Sequence, residues 1–127
     1  MCQLAETLRY VHHYDLVHGD VKPENILFDD SRTVLCDFGL AQRAKSESNP
    51  LGGTPHYQAP EVKRGEKLRP AADVFALGII WAELIRVSGD QADAEMVMMQ
   101  RDCLATLAAD RPTADDIVRH LALDSNS

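Results

Sequence analysis

Residues 71–86, Ala-Ala-Asp-Val-Phe-Ala-Leu-Gly-Ile-Ile-Trp-Ala-Glu-Leu-Ile-Arg, would be apolar nearly all the way round a helix. Such a helix has no face to offer to water, so it belongs in a core and not on a surface. Its apolar run ends at Glu83, well short of the roughly 18 residues that a membrane span needs. A chain of 127 residues is one domain's worth, enough to bury a single core around it.

The flanking segments suit that role. Residues 2–14 repeat Leu4, Leu8 and Val11 at helical spacing, with Tyr10 added to the same face, and predict an amphipathic helix. Residues 15–25 read as a loop opening on Leu16-Val17. Ile26-Leu27-Phe28 and Thr33-Val34-Leu35-Cys36 are β-prone runs around Asp29-Asp30-Ser31-Arg32, the pattern of a hairpin. Residues 40–58 hold Ser46, Ser48, Asn49, Pro50, Gly52, Gly53 and Pro55 and predict a long loop, functional or mobile. A short helix is expected from Pro60 through Lys63. Ser88-Gly89-Asp90 ends the core helix, and Ala94 to Leu107 predicts another. Arg111-Pro112-Thr113 makes a turn, with Thr113 as N-cap and Asp116 in the first turn of a last helix running to about Leu121. The fold class is mainly α with a small β-hairpin: a domain over 1–122 and a frayed tail over 123–127.

The net charge of -7 comes without any basic cluster, which argues against non-specific nucleic-acid binding and suits solubility. Cys2, Cys36 and Cys103 are odd in number and far apart, so neither a disulfide framework nor a zinc site is expected. A reducing, intracellular and cytoplasmic setting follows from that reading. The start of the chain lacks the basic region of a signal peptide, and no membrane partner is expected. His12 and His13 have no partner ligands at metal spacing.

Two strings carry the chemistry: His-Gly-Asp-Val-Lys-Pro-Glu-Asn at 18–25 and Asp-Phe-Gly at 37–39. Their groups suit transfer of a phosphoryl group, which needs an oriented nucleophile, held metals and offset charge. Asp20 can accept a hydroxyl proton. Lys22 is a point charge able to meet the γ-phosphate. Asn25 offers Mg²⁺ a neutral oxygen and Asp37 a charged one. A hairpin between the strings brings Asn25 and Asp37 together, and Gly39 lets the chain turn after Phe38.

These strings resemble the catalytic and metal loops of eukaryotic-type protein kinases. Three more segments resemble that family in the same order. Gly53 to Glu61 is similar to the end of its activation segment. Asp73 to Gly78 is similar to the start of its large buried helix. Asp110 to Thr113 is similar to the turn before its last helix. The resemblance implies the C-terminal lobe of a serine/threonine kinase, with ATP and Mg²⁺ as cofactors and a protein as substrate. Asp20 is then the base and Lys22 the phosphate-contacting lysine. Asn25 and Asp37 are the metal ligands, and Leu27 is the floor under adenine. Thr54 belongs to the substrate-facing loop. Glu61 and Arg111 form an internal ion pair, Asp73 anchors the catalytic loop, and His18 and Phe38 stack in an apolar spine.

Taken singly, several of these residues have plainer readings. His18 reads as a structural histidine, Asp73 as a carboxylate favoured at a helix start, and Glu61 and Arg111 as solvated charges. Cys36 reads as a small buried strand residue. The joint spacing of Asp20, Lys22, Asn25 and Asp37 has no such reading.

The chain departs from the family pattern in three ways. Gly19 stands where many members have an arginine that pairs with a phosphate, so phosphorylation at Ser46 or Ser48 should not act through this position. The span from Gly78 to Arg111 is short for the family's extra helix and docking surface. The 127 residues contain no Gly-x-Gly-x-x-Gly and no Val-Ala-Ile-Lys-like string. ATP would have a floor without a roof, and the chain by itself is expected to be weak or inactive unless an N-terminal lobe is supplied in cis or in trans. The alternative reading is a non-catalytic scaffold that binds a kinase or other partner through the exposed inter-lobe face.

Overall fold

The computed structural model describes residues 2–29, 32–44, 52–89 and 94–125, so the expectations for Ser46, Ser48, Asn49, Pro50 and Asp90 lie outside the described residues. The described elements are α1 (Cys2–His13), β1 (Leu16–Val17), β2 (Ile26–Asp29), β3 (Arg32–Leu35), β4 (Gln42–Arg43), α2 (Pro60–Lys63), α3 (Pro70–Ser88), α4 (Ala94–Cys103) and α5 (Ala114–Ser125). Single 3-10 turns occupy Pro23–Asn25, Pro55–Tyr57 and Ala108–Asp110. Among the described residues no helix is long and apolar enough to cross a membrane.

α3 is the central post. Val74, Ala76, Leu77, Ile80 and Trp81 are buried in one cluster. Leu4, Ala5 and Leu8 of α1, Cys103 of α4, Ala114, Ile117, Val118 and Leu121 of α5, and Ile26 and Leu35 of the hairpin join it. Each such large aliphatic side chain contributes about 1.5–3 kcal/mol by leaving water. A smaller cluster of Val17, Ala59, Val62, Leu68 and Ala72 supports the loop that follows α1.

α1 buries Leu4, Leu8 and Val11 as their spacing requires, but Tyr10 is 65% exposed. Tyr10 lies two residues past Leu8, about 200° round the helix, so it leaves the apolar face and packs on Tyr14 at 4.9 Å. In the hairpin, Ile26 pairs with Leu35 and Leu27 with Val34. The two-residue period turns the first pair into the core and leaves the second on the outer face. The second strand of the hairpin starts at Arg32 and stops at Leu35, not Cys36.

Two segments expected as plain loop contain a short antiparallel pair: Leu16 opposite Arg43 and Val17 opposite Gln42. Strands of two residues carry no period from which to be read. The helix starting at Ala94 ends at Cys103, four residues before Leu107. The carbonyls of Ala105 and Thr106 are turned to the Arg111 guanidinium instead of continuing the helical ladder. α5 continues to Ser125, beyond Leu121. Its expected cap is present: Thr113 Oγ1 accepts from the Asp116 N–H at 3.0 Å, and the Asp116 carboxylate accepts from the Thr113 N–H at 3.1 Å.

α4 crosses α3 at Gly78. A Cβ there would sit 2.8 Å from both Cys103 Cβ and Leu104 Cδ2. Gly78→Ala is therefore expected to destabilise the chain by about 1–3 kcal/mol through overpacking, although alanine is the better helix former. A denaturant titration measures this, and a gain in stability would contradict the close crossing.

Candidate active site

The site is built on the carboxylate of Asp73, which is 2% exposed in the first turn of α3. Its Oδ2 accepts from the His18 N–H at 2.8 Å and its Oδ1 from the Gly19 N–H at 3.0 Å. The loop after β1 is thereby clamped to the central helix. Gly19 has φ of 86°, and a Cβ there would meet Leu68 Cδ2 at 2.9 Å and the Leu40 carbonyl oxygen at 3.0 Å. Gly19→Ala should cost about 1–2 kcal/mol from the left-handed backbone alone. A thermal melt no worse than that of the wild type would refute the tight fit.

His18 is fully buried. Its Nε2–H donates to the Cys36 carbonyl at 2.9 Å, and its Nδ1 accepts from the Asp20 N–H at 3.0 Å. One imidazole thus joins the loop carrying Asp20 to the end of β3. Its ring meets Phe38 edge-on at 4.7 Å, and Phe38 remains 42% exposed.

Asp20, Lys22 and Thr54 form a triangle. Lys22 Nζ donates to Thr54 Oγ1 at 2.9 Å, and Thr54 Oγ1 lies 3.3 Å from Asp20 Oδ1. Lys22 Nζ is also 3.5 Å from Asp20 Oδ2. Asn25 is buried, and its side-chain nitrogen donates to the Asp20 carbonyl at 2.8 Å and to Asp20 Oδ2 at 3.3 Å. Both bonds use the nitrogen, so Oδ1 is the Asn25 atom suited to a cation. The hairpin then returns the chain: the Cys36 N–H donates to the Asn25 carbonyl at 2.8 Å, and the Cys36 thiol approaches the same oxygen at 3.3 Å. Asp37 follows, exposed, with φ of 58°. Its Oδ1 accepts from the Gly39 N–H at 3.2 Å. Two side-chain oxygens near one hairpin end fit a hard divalent ion that takes its other ligands from phosphates and water. Among the described residues no three His, Cys, Asp or Glu side chains converge into an all-protein cage, and such an ion needs none. Leu27 is 55% exposed on the outer face of the hairpin, opposite Val34.

Glu61 and Arg111 are internal and not solvated. The guanidinium meets Glu61 with two bonds, at 2.6 and 2.8 Å, and the Arg111 side chain is fully buried. It also donates to the carbonyls of Ala71 and Ala105 and lies over the Phe75 ring. Burial pushes the Glu61 carboxyl up, but the hydrogen bonds and charge of Arg111 outweigh it and hold the group below its ordinary 4.5. Burial also raises the Cys103 thiol to about 12, so it stays protonated and packs as a small apolar group.

The residue that sequence reasoning missed is His12. Its Nε2 lies 2.9 Å from Asp73 Oδ2, far from any metal role. The available signal was its position on α1, one residue past Val11 and beside the buried face; its partner is 61 residues away and had no local signature.

A family model described as the protein kinase domain matches residues 1–91. The chain is 42% identical over 86 residues to a serine/threonine-protein kinase of Caenorhabditis briggsae, a match covering 63% of this chain and 7% of that protein. It is 38% identical over 86 residues to a serine/threonine-protein kinase of Arabidopsis thaliana, covering 65% of this chain and 18% of that protein. It is 31% identical over 144 aligned positions to an interferon-induced, double-stranded RNA-activated protein kinase of Rattus norvegicus, covering 94% of this chain and 28% of that protein. The chain therefore spans well under a third of the length of these relatives.

Proposed function

Since the chain belongs to the protein kinase family, we propose that residues 1–122 form the C-terminal lobe of a serine/threonine kinase domain and carry its phosphoryl-transfer groups. Protein kinases act on proteins with ATP and Mg²⁺. The observation that carries the assignment is the Asp20–Lys22–Thr54 triangle with Asn25 bonded to Asp20. A substrate hydroxyl oxygen forms a bond to the γ-phosphorus, the bond from that phosphorus to the bridging oxygen of ADP breaks, and the hydroxyl proton passes to an Asp20 Oδ. Lys22 holds positive charge beside the transferring group, and Thr54 keeps the Lys22 amine and the Asp20 carboxylate from collapsing on each other. Asn25 and Asp37 would hold Mg²⁺, which when bound offsets phosphate charge. Leu27 supplies an apolar floor for the base. The roof over the nucleotide is not among these 127 residues, so turnover needs one from elsewhere in a longer chain or from a partner.

Mg·ATP is expected to raise the melting temperature, by about 2.7 kcal/mol of added stability at a hundredfold excess over Kd. Asp37→Ala should abolish this shift, whereas Asp20→Asn should keep it. No shift, or a shift indifferent to Asp37, would sink the nucleotide-binding reading. The second reading, a non-catalytic interaction module, is favoured by the exposed Leu27, Val34 and Phe38, a patch that suits a protein partner. It predicts partner binding that survives Asp37→Ala but is lost in Leu27→Asp.

A further inference from the structure

We infer that His12 is a positioning residue for the catalytic loop, acting through Asp73. The carboxylate of Asp73 is almost wholly buried, and its two oxygens are the anchor for the N–H groups of His18 and Gly19. Oδ2 is shared: the His18 N–H reaches it at 2.8 Å and His12 Nε2 at 2.9 Å. Two donors on one oxygen fix the rotation of the carboxylate, and that rotation sets where the loop backbone sits.

His12 can do this because it stands on a rigid element. It lies in the last turn of α1, directly after Val11, and Leu4, Leu8 and Val11 seat that helix in the interior. At the loop, by contrast, Gly19 has no side chain with which to fasten itself, and its backbone is the freest of any residue. The anchor on Asp73 therefore carries the whole restraint at this point. From there the path to the reacting group is one continuous set of bonds: His12 to Asp73, Asp73 to the amides at 18 and 19, and His18 Nδ1 to the Asp20 N–H. His12 touches neither substrate nor nucleotide in this scheme; it orients the residue that does. A donor lost at His12 leaves a buried carboxylate with one partner fewer and free to turn.

The structure also offers an unusual control. His12 lines an open groove of about 990 Å³ between α1, the start of α3 and the start of α5, with Tyr10, Tyr14 and Ala109 among its other walls. Free imidazole added to a His12→Ala variant can therefore reach the vacated position.

The test is amide hydrogen exchange of the whole chain. His12→Phe keeps the bulk and removes the donor; it should speed exchange of the His18 and Gly19 amides about tenfold while leaving the core amide of Ile117 unchanged. His12→Gln, which retains a side-chain N–H, should restore most of the protection. Imidazole should restore it in His12→Ala and do nothing to wild type. Unchanged exchange at 18 and 19 in His12→Phe would overturn the assignment. So would equal acceleration at Ile117, which would make His12 an ordinary packing residue, or a His12→Gln variant no better than His12→Phe. These readouts need no catalysis, so they stand or fall separately from the kinase reading. With activity reconstituted, that reading adds a fall in kcat at unchanged KM for ATP.

Discussion

Arg111→Met is expected to destabilise the chain by about 3–5 kcal/mol, the usual cost of stranding one member of a buried ion pair. The guanidinium is fully buried, bonds Glu61 twice and satisfies carbonyls from the start of α3 and from the turn after α4. Its removal leaves the Glu61 carboxylate without a counter-ion and those carbonyls without a donor. Glu61→Met alone should cost a similar amount by stranding the cation. The double variant should be more stable than the sum of the two losses predicts, because neither charge is then left behind. Urea titrations of the four species give the coupling directly. Strict additivity would mean that the pair is not coupled.

The same pair sets an acid limit. The folded-state value of Glu61 is depressed below its ordinary 4.5. A depressed carboxylate contributes stability that is complete above its unfolded value and is lost as pH falls through its folded value. The wild type should therefore lose stability below about pH 4.5 more steeply than Glu61→Gln. Parallel curves for the two would remove Glu61 from the account.

Asp73→Ala should have the second large effect, about 2–5 kcal/mol, from leaving the buried N–H groups of His18 and Gly19 without an acceptor. Asp73→Asn should fall between, since one oxygen still accepts while the new NH₂ faces a donor. Denaturant melts rank the three. The loss should appear at the catalytic loop first, as early exchange of the amides at 18 and 19, because α3 itself remains packed through Val74, Leu77 and Trp81. An Asp73→Ala variant as stable as wild type would show that the clamp carries no weight.

What could be read from residues alone followed from periodicity and end signals. α1 and α3 were legible because their apolar positions repeat at helical spacing or fill every position. The hairpin was legible from two β-prone runs around a polar turn, and the cap of α5 from Thr113 and Asp116. Tyr10 was misplaced because an aromatic residue next to an apolar face looks like part of it. The end of α4 was misplaced because the reason to stop is the Arg111 guanidinium, whose demand for carbonyls is invisible in residues 94–107. The β1–β4 pair was missed because two residues cannot display alternation.

The sequence by itself determined the chemistry on offer. A base, a lysine, a neutral oxygen and a charged oxygen stand at fixed intervals in two short strings, and local spacing is a property of the chain. Which groups meet was decided only by the tertiary structure. Thr54 lies 32 residues from Lys22, Asp73 lies 61 from His12, and Arg111 lies 50 from Glu61. Those contacts exist because α3 is buried on all sides: the layers that cover it bring α1, the catalytic loop and the turn before α5 onto one post. Charges and amides meeting there, away from water, must satisfy one another or leave the fold unstable.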